Sequence, residues 1–174
     1  ALIMLNIMAL NLNGQTLEEI EAKRVSLPNG WHLTPVGKLV PLGDLPLNIA
    51  VSPDCKFAAV TNNGQSTQTI QLINLKKGNS VFSTEIGKSW LGLAFSEDGK
   101  YLYASGGNDN IIIRYLVRKN KLVNHDTIKI GEPWPEKISI AGIAIDDSRN
   151  RLFAVTKENN SLYVIDTRLK SVVS

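Results

Sequence analysis

The chain is poor in cysteine and in aromatic residues, and its charges nearly balance. Its 174 residues include one cysteine, Cys55, which excludes an internal disulfide and a metal site built from clustered cysteines. The 19 lysines and arginines exceed the 16 acidic residues only slightly, and they are scattered without interleaved aromatic residues. Nucleic-acid binding needs a basic patch or stripe, so we predict no nucleic-acid partner.

Patterns of the common catalytic centres are also missing. The two histidines, His32 and His125, have no neighbouring serine and carboxylate in an arrangement typical of a triad. Cys55 has no base nearby in the sequence that would activate it. An Asn-Asp-Asn segment at 108–110 offers oxygen ligands suited to calcium, but it lacks EF-hand spacing and fits turn chemistry better. We therefore predict no catalytic residue, no metal ligand and no cofactor.

Long apolar runs are missing except at the beginning, where residues 1–12 are almost wholly apolar. A run of about 12 residues is shorter than the roughly 20 that span a bilayer, so we predict no integral membrane segment. The run has the length of the apolar region of a secretory signal, with a buried or poorly ordered apolar segment as the alternative. Thr16-Leu-Glu-Glu19 then has capping-box spacing. We interpret residues 1–24 as a signal-peptide remnant followed by a short helical and polar leader of an exported protein.

What the chain does contain is a repeat. A pattern of Ala-x-Ser-x-Asp-x-Lys-aromatic begins at Ala50, recurs at Ala94 and has a weaker copy beginning at Ala144. The residues LFAV at 152–155 also match LYAS at 102–105. A period of about 40–50 residues is typical of architectures that stack one supersecondary unit.

Each repeat is predicted to contain short strands joined by tight turns. Serine and aspartate suit the first turn because their side-chain oxygens bond nearby backbone amides. The first strand of each unit is rich in small residues, which favours an innermost position where space narrows toward an axis. Four short strands at this period, without a long helical pattern, indicate β-propeller blades. We predict an all-β fold in which residues 25–174 form a partial β-propeller of about three four-stranded blades. The predicted strands are 47–51, 57–61, 69–75 and 81–86, then 91–95, 101–105, 111–116 and 127–130, then 141–145, 152–156 and 162–166.

Ala59-Val-Thr-Asn62, which follows Ser-Pro-Asp-x-Lys-Phe, resembles the repeat signature of YVTN-type β-propellers of surface-layer and periplasmic proteins. Weaker copies stand at 103–105 and 153–156, and the resemblance covers roughly residues 25–174. It implies a propeller of about seven blades in an exported protein, periplasmic or on the cell surface, whose remaining blades are partners from the same chain. Cys55 departs from the family because glycine usually stands there, so we expect a strained or altered turn.

The leader at 27–46 is similar to that of a subgroup in which the propeller precedes a phosphoesterase domain of the alkaline-phosphatase superfamily. No metal-ligand or nucleophile motif of a phosphoesterase is present in the sequence, so that activity is assigned to no residue here. The sequence ends at Ser174, near a third strand, and we expect a fragment of a longer polypeptide. An open arc of blades would leave apolar faces and a strand edge exposed and favour aggregation.

Loops on one face of the propeller are the candidate binding site. In a propeller, the loops that enter the innermost strands and those that follow the second strands lie on one face around the axis, and binding residues favour such loops on a rigid scaffold. These loops are 43–48, 62–67, 88–91, 106–110, 134–140 and 157–160. The predicted ligand-binding residues are Asn48, Lys88, Trp90, Asp109, Trp134 and Lys137. The alternative for both tryptophans is that they fill gaps between blades.

The sequence therefore favours a non-catalytic binding or scaffold module that holds an unidentified ligand or protein on this face. The alternative is a propeller lactonase that hydrolyses a sugar lactone. Lactonase propellers generally place acidic and asparagine ligands, or arginine and histidine bases, at the channel mouth. Asn48 and Asp109 are predicted to lie there, but no convergent histidine or arginine set accompanies them.

Overall fold

The computed structural model describes residues 16–34 and 37–174, except the side chain of residue 125, and the chain divides into two compact units, Ala1–Leu39 and Val40–Ser174. Most of the predicted signal-peptide remnant, residues 1–15, lies outside the described residues. No helix within the described ranges is long and apolar enough to cross a membrane.

The first unit contains the capped helix that the sequence predicts. Helix α1 (Leu17–Glu21) begins after Thr16, whose hydroxyl accepts a hydrogen bond from the Glu19 amide at 3.2 Å. The Glu19 carboxylate in turn accepts the Thr16 amide at 2.9 Å, which confirms the capping box. Strands β1 (Val25–Ser26) and β2 (His32–Leu33) then pair as a small antiparallel sheet.

The second unit consists of three four-stranded antiparallel sheets, which we call the first, second and third blades. Within each blade the strands pair in chain order, because short turns join antiparallel neighbours. The blades are β3 (Pro46–Val51), β4 (Phe57–Asn62), β5 (Thr69–Asn74) and β6 (Asn79–Glu85); β7 (Leu93–Phe95), β8 (Tyr101–Ser105), β9 (Ile111–Arg118) and β10 (Lys121–Lys129); and β11 (Ile140–Asp146), β12 (Arg151–Thr156), β13 (Leu162–Asp166) and β14 (Ser171–Val172). This confirms the predicted fold and adds the fourth strand of the third blade, which the sequence did not indicate.

The repeated serine and aspartate close the first turn of each blade. In the first blade the Ser52 hydroxyl donates to Asp54 at 2.8 Å and accepts the Phe57 amide at 3.0 Å. The second blade repeats the hydroxyl–carboxylate bond between Ser96 and Asp98 at 2.8 Å. These side chains satisfy backbone groups that the end of the strand pairing leaves without a partner, which explains why the repeat places them at this turn.

The third blade closes its turn with the same groups in reverse order. Here the Ser148 hydroxyl donates to the carboxylate of Asp146 at 2.6 Å. Each turn also contains one residue with a left-handed backbone. This residue is Cys55 (φ 54°) in the first turn, Gly99 (φ 69°) in the second and Asn150 (φ 53°) in the third. Cys55 therefore keeps the turn of its glycine counterpart and adopts the strained backbone, which is one of the two outcomes expected from the sequence.

Apolar side chains fill the spaces between neighbouring blades. The larger core lies between the first and second blades and includes Ile70, Leu72 and Leu102, which are fully buried. A second core between the second and third blades includes Ile112 and Leu152. Each buried side chain of this size contributes about 1.5–3 kcal/mol, so contacts between blades are a principal source of stability.

The first strands of successive blades contact one another, as expected for innermost strands: β3 contacts β7, and β7 contacts β11. Gly92 at the entrance to β7 leaves room for a close contact with the third blade. A Cβ atom at Gly92 would lie 2.8 Å from the Ser105 Cβ and 3.2 Å from the Ile143 Cγ2 of the third blade. The first and third blades also have apolar side chains exposed to solvent, among them Ile49 and Val155.

Candidate functional site

Loops from all three blades meet around a cavity of about 180 Å³, which we call the Trp90 cavity. Each contributing loop either enters a first strand or follows a second strand, so the cavity lies on the predicted loop face. Its polar and aromatic lining includes Asn63 and Gln68 of the first blade, Lys88, Ser89 and Trp90 before the second, and Ser139 and Lys157 of the third.

Trp90 connects the second blade to the third through a cation–π contact. The Lys157 ammonium nitrogen lies 5.0 Å from the centroid of the indole ring. Lys157 also lies 3.4 Å from the carboxylate of Glu158, and its backbone amide donates to Ser139 O at 3.0 Å. Trp90 is half-buried, so its ring both bridges the blades and presents a face to the cavity.

Two carboxamides of the first blade position the loop that carries Trp90. The Gln68 side-chain oxygen accepts the Ser89 amide at 2.6 Å, and the Asn63 side chain donates to the Ser89 carbonyl. The Ser89 hydroxyl is buried and has no hydrogen-bond partner among the described residues. A buried hydroxyl without a partner is unusual, because desolvation costs free energy that a hydrogen bond normally offsets.

Asn110 orders the loop on the other side of the cavity. It has a left-handed backbone (φ 55°) and a fully buried side chain at the end of a short 3₁₀ turn, Gly107–Asp109. Its carboxamide nitrogen donates to the carbonyls of Glu132 and Glu136, the latter at 3.0 Å, and its oxygen accepts the Ser139 amide at 2.8 Å. The side chain that the sequence associates with turn chemistry thus fixes the approach to β11.

The predicted site residues do not all lie together. Lys88 and Trp90 line the Trp90 cavity, and Asp109 lies beside it, 3.9 Å from the Lys88 ammonium nitrogen. Asn48 donates to the carbonyl of Leu91 and lines a separate, mostly apolar hollow on the first blade.

Trp134 and Lys137 are exposed and stand outside the residues that line the cavity. The Trp134 side chain is 52% exposed, so it does not fill a gap between blades. Its backbone amide donates to Asn108 O at 2.9 Å. Ser139 and Lys157 lie in predicted loops but were not singled out, and Gln68 lies one residue beyond its loop.

A second cavity, of about 460 Å³, lies at the opposite end of the strands between the second and third blades. An ion pair stands at its wall, where Arg114 donates from Nε to Asp126 Oδ1 at 2.9 Å and from its terminal nitrogen to Oδ2. Burial alone would raise the pKa of Asp126, but hydrogen bonds from Arg114 and Lys170 outweigh it and lower that pKa. The Asp126 carboxylate thus compensates the charge of Arg114 within the second blade and pairs with Lys170 of the third blade.

Within the described ranges no three histidine, cysteine, aspartate or glutamate side chains cluster closely enough to hold a metal ion. The groups on the loop face that can bind a ligand are the hydrogen-bond donors around Trp90.

Comparison with known proteins shows what the architecture is. No family model matches the chain, and no curated protein matches its sequence. Three solved structures superpose on 74% of it: hydrazine synthase from Kuenenia stuttgartiensis (TM-score 0.61, 22% identity), the β-propeller domain of Cps50 (Swd1) from Myceliophteria thermophila (0.61, 16%) and the WD40 repeats of RRP9 (0.59, 17%). The chain has a β-propeller fold. It spans 36%, 40% and 37% of the lengths of those three chains, respectively.

Proposed function

We propose that this chain is a non-catalytic β-propeller module that binds a protein partner on the loop face around Trp90. The observation that carries the proposal is that loops of all three blades contribute to one cavity. Such a cavity exists only when the blades are packed, so its shape is fixed by the scaffold and not by one flexible loop. Loops held in this way are the usual position of binding residues.

The chemistry of the cavity also fits binding better than the lactonase alternative. Asn48, one of the two candidate lactonase ligands, is engaged with Leu91 and lines the apolar hollow. Asp109, the other, lies beside Lys88. The two side chains do not converge on a common reaction centre, whereas an aromatic ring and several hydrogen-bond donors do line the Trp90 cavity.

Site-specific photo-crosslinking in the producing cell tests this function. A photoreactive residue at position 134 would stand on the loop face, and a matched one at position 76 would stand in the exposed β5–β6 turn at the other end of the strands. We expect position 134 to capture one partner in an adduct that excess unmodified chain suppresses, and position 76 to capture none. No such adduct from position 134, or equal capture at both, would contradict the proposal.

We also propose that the module is of the YVTN type, with residues 1–24 as leader and 25–174 as blades of a longer exported chain that carries a phosphoesterase. The support is the resemblance of residues 59–62 and 27–46 to that family, together with the apolar segment 1–12. Cell fractionation followed by mass spectrometry tests it. We expect the native polypeptide in the periplasm or at the cell surface, with peptides from a phosphoesterase domain, and its recovery from the cytoplasm would contradict export.

A further inference from the structure

We propose that the Trp90 cavity binds the carboxylate of an acidic side chain, such as glutamate, in a peptide segment of the partner. This inference rests on the proposed function and names the chemistry that the loop face recognises. It is carried by the charge of the lining, by the Ser89 hydroxyl, and by the size and shape of the cavity.

The two charged side chains in the lining of the cavity are both positive. Lys88 and Lys157 line it, and none of the described residues in its lining is acidic. Each lysine has an acidic neighbour outside the lining: Asp109 is 3.9 Å from Lys88, and Glu158 is 3.4 Å from Lys157. The Lys88 and Lys157 side chains are 52% and 43% exposed. Ion pairs at this exposure are weak, and the flexible lysine stem lets the ammonium group turn toward a ligand.

The Ser89 hydroxyl is the second and independent observation. Ser89 is 2% exposed, lines the cavity and has no hydrogen-bond partner among the described residues. Its backbone amide and carbonyl are engaged by Gln68 and Asn63, so these bonds hold the backbone of Ser89 at the wall of the cavity and involve none of its side-chain atoms. The hydroxyl oxygen itself has almost no accessible surface, so rotation of the side chain toward the cavity would bring it to a ligand oxygen. A carboxylate is the acceptor that the two lysines favour.

The size and the apolar lining indicate a side chain on a short aliphatic stem. The cavity of about 180 Å³ is smaller than the roughly 300–1,000 Å³ typical of sites for drug-sized ligands. The half-buried ring of Trp90 supplies apolar surface on which methylene groups can pack. Glutamate combines this stem with a carboxylate, whereas inorganic phosphate would leave the apolar surface uncovered.

The test is an NMR titration of the full chain with a capped Gly-Gly-Glu-Gly-Gly peptide, its glutamine counterpart, free glutarate and inorganic phosphate. We expect the glutamate peptide to shift the amides of Ser89, Trp90 and Lys157, and the glutamine peptide to bind at least about tenfold more weakly, the change that losing a charge-assisted interaction produces. Binding should weaken as salt is added, because the lysines are exposed.

Matched variants locate the site. Lys88→Gln should weaken binding of the glutamate peptide by up to about fivefold, because its ion pair is exposed, and Ser89→Ala by about tenfold. Lys76→Ala, in the exposed turn at the other end of the strands, should leave it unchanged. Lys88→Gln keeps the inference testable if Ser89→Ala disturbs the loop. The Lys88 side chain is half exposed, so its replacement creates no packing defect.

Several results would overturn the inference. Equal binding of the glutamate and glutamine peptides would exclude carboxylate recognition. Glutarate or phosphate binding as tightly as the peptide would exclude a peptide as the ligand. If the glutamate peptide fails to bind while position 134 still captures a partner, only the ligand chemistry is wrong. If both fail, the proposed function is wrong as well.

Discussion

Lys170 in the third blade places its ammonium nitrogen 2.8 Å from the carboxylate of Asp126 in the second blade. Asp126 also accepts two hydrogen bonds from Arg114, whose guanidinium lies 4.8 Å from the centroid of the Tyr101 ring. The Arg114 and Asp126 side chains are only 14% and 15% exposed. The Asp126 carboxylate therefore compensates the largely buried guanidinium of Arg114 within its own blade and forms an ion pair with Lys170 of the next blade.

Replacing this carboxylate should be much more damaging than replacing the lysine. Asp126→Asn leaves Arg114 largely buried without its counter-charge, so we expect the free energy of unfolding to fall by about 3 kcal/mol. Lys170→Met removes an ion pair whose lysine is 44% exposed, so it should cost less than about 1 kcal/mol. Urea denaturation measures both. Equal losses would show that the guanidinium does not depend on Asp126.

The left-handed residue of the first turn offers a stabilising substitution. Cys55 has a φ of 54°, where a side chain costs about 1 kcal/mol relative to glycine, and it is exposed. We expect Cys55→Gly to raise the free energy of unfolding by somewhat less than that amount, because glycine also gains entropy in the unfolded chain. Gly99→Ala, at the matching position with a φ of 69°, should lower it by about 1 kcal/mol.

Thermal and urea denaturation of the two variants measure this pair of effects. Opposite signs are the expected result because the two turns share one hydrogen-bond pattern. If both variants destabilise the protein, the Cys55 side chain makes a favourable contact that its exposure does not reveal.

The blades were predictable because the information for each of them is local. Ser52 and Asp54 close a turn through bonds to residues at most five positions away, and the same bonds recur at Ser96 and Asp98. Such a turn fixes the pairing of the strands on either side of it. Strand ends were less accurate: β10 begins at Lys121, whereas we predicted its start at 127.

The order of strands predicts which loops share a face, but it does not predict which of their residues line one cavity. The loop ranges follow from the order of strands, and Lys88 and Trp90 line the Trp90 cavity, so their role in ligand binding stays a prediction. Lys157 and Ser139 reach the cavity only because the third blade packs against the second. No pattern in the sequence predicts the angle at which two blades pack. For the same reason, an aromatic residue in a loop gives no indication that Trp134 is exposed whereas Trp90 is half-buried.

Acid should destabilise the protein through the aspartates of the turns. The side-chain hydrogen bond from Lys56, with that from Ser52, lowers the pKa of Asp54 to about 2, and hydrogen bonds from Lys100 do the same for Asp98. Because the pKa is lower in the folded state, each carboxylate stabilises the fold above its ordinary pKa of 3.8. That stabilisation is lost as the pH falls toward 2.

Denaturation at a series of pH values checks this dependence. Asp54→Asn and Asp98→Asn should each reduce the loss of stability between pH 3.8 and about 2. The two carboxylates share no partner in these bonds, but their turns lie side by side at Pro53 and Gly99, so the double variant measures any coupling between them. An unchanged acid slope in the double variant would show that other carboxylates carry the acid sensitivity.

Asn110 should be the most sensitive position on the loop face. Its carboxamide nitrogen donates to the carbonyls of Glu132 and Glu136, so Asn110→Asp would place a carboxylate oxygen against two acceptors. We expect a loss of at least about 3 kcal/mol near pH 7, because the charge is also buried. Asn110→Gly keeps the left-handed backbone and introduces no charge, so it should lose less.

Acidification separates the two causes of that loss, because the introduced carboxyl becomes a donor when protonated. Its folded-state pKa should be raised by burial and by the two carbonyls, so the Asn110→Asp variant should gain stability relative to Asn110→Gly as the pH falls from about 7 to 5. Urea denaturation at both pH values measures this gain.

Since Asn110 also accepts the Ser139 amide at the wall of the Trp90 cavity, Asn110→Gly should weaken binding of the glutamate peptide while the chain stays folded. A variant that binds the peptide normally would show that the cavity forms without this asparagine.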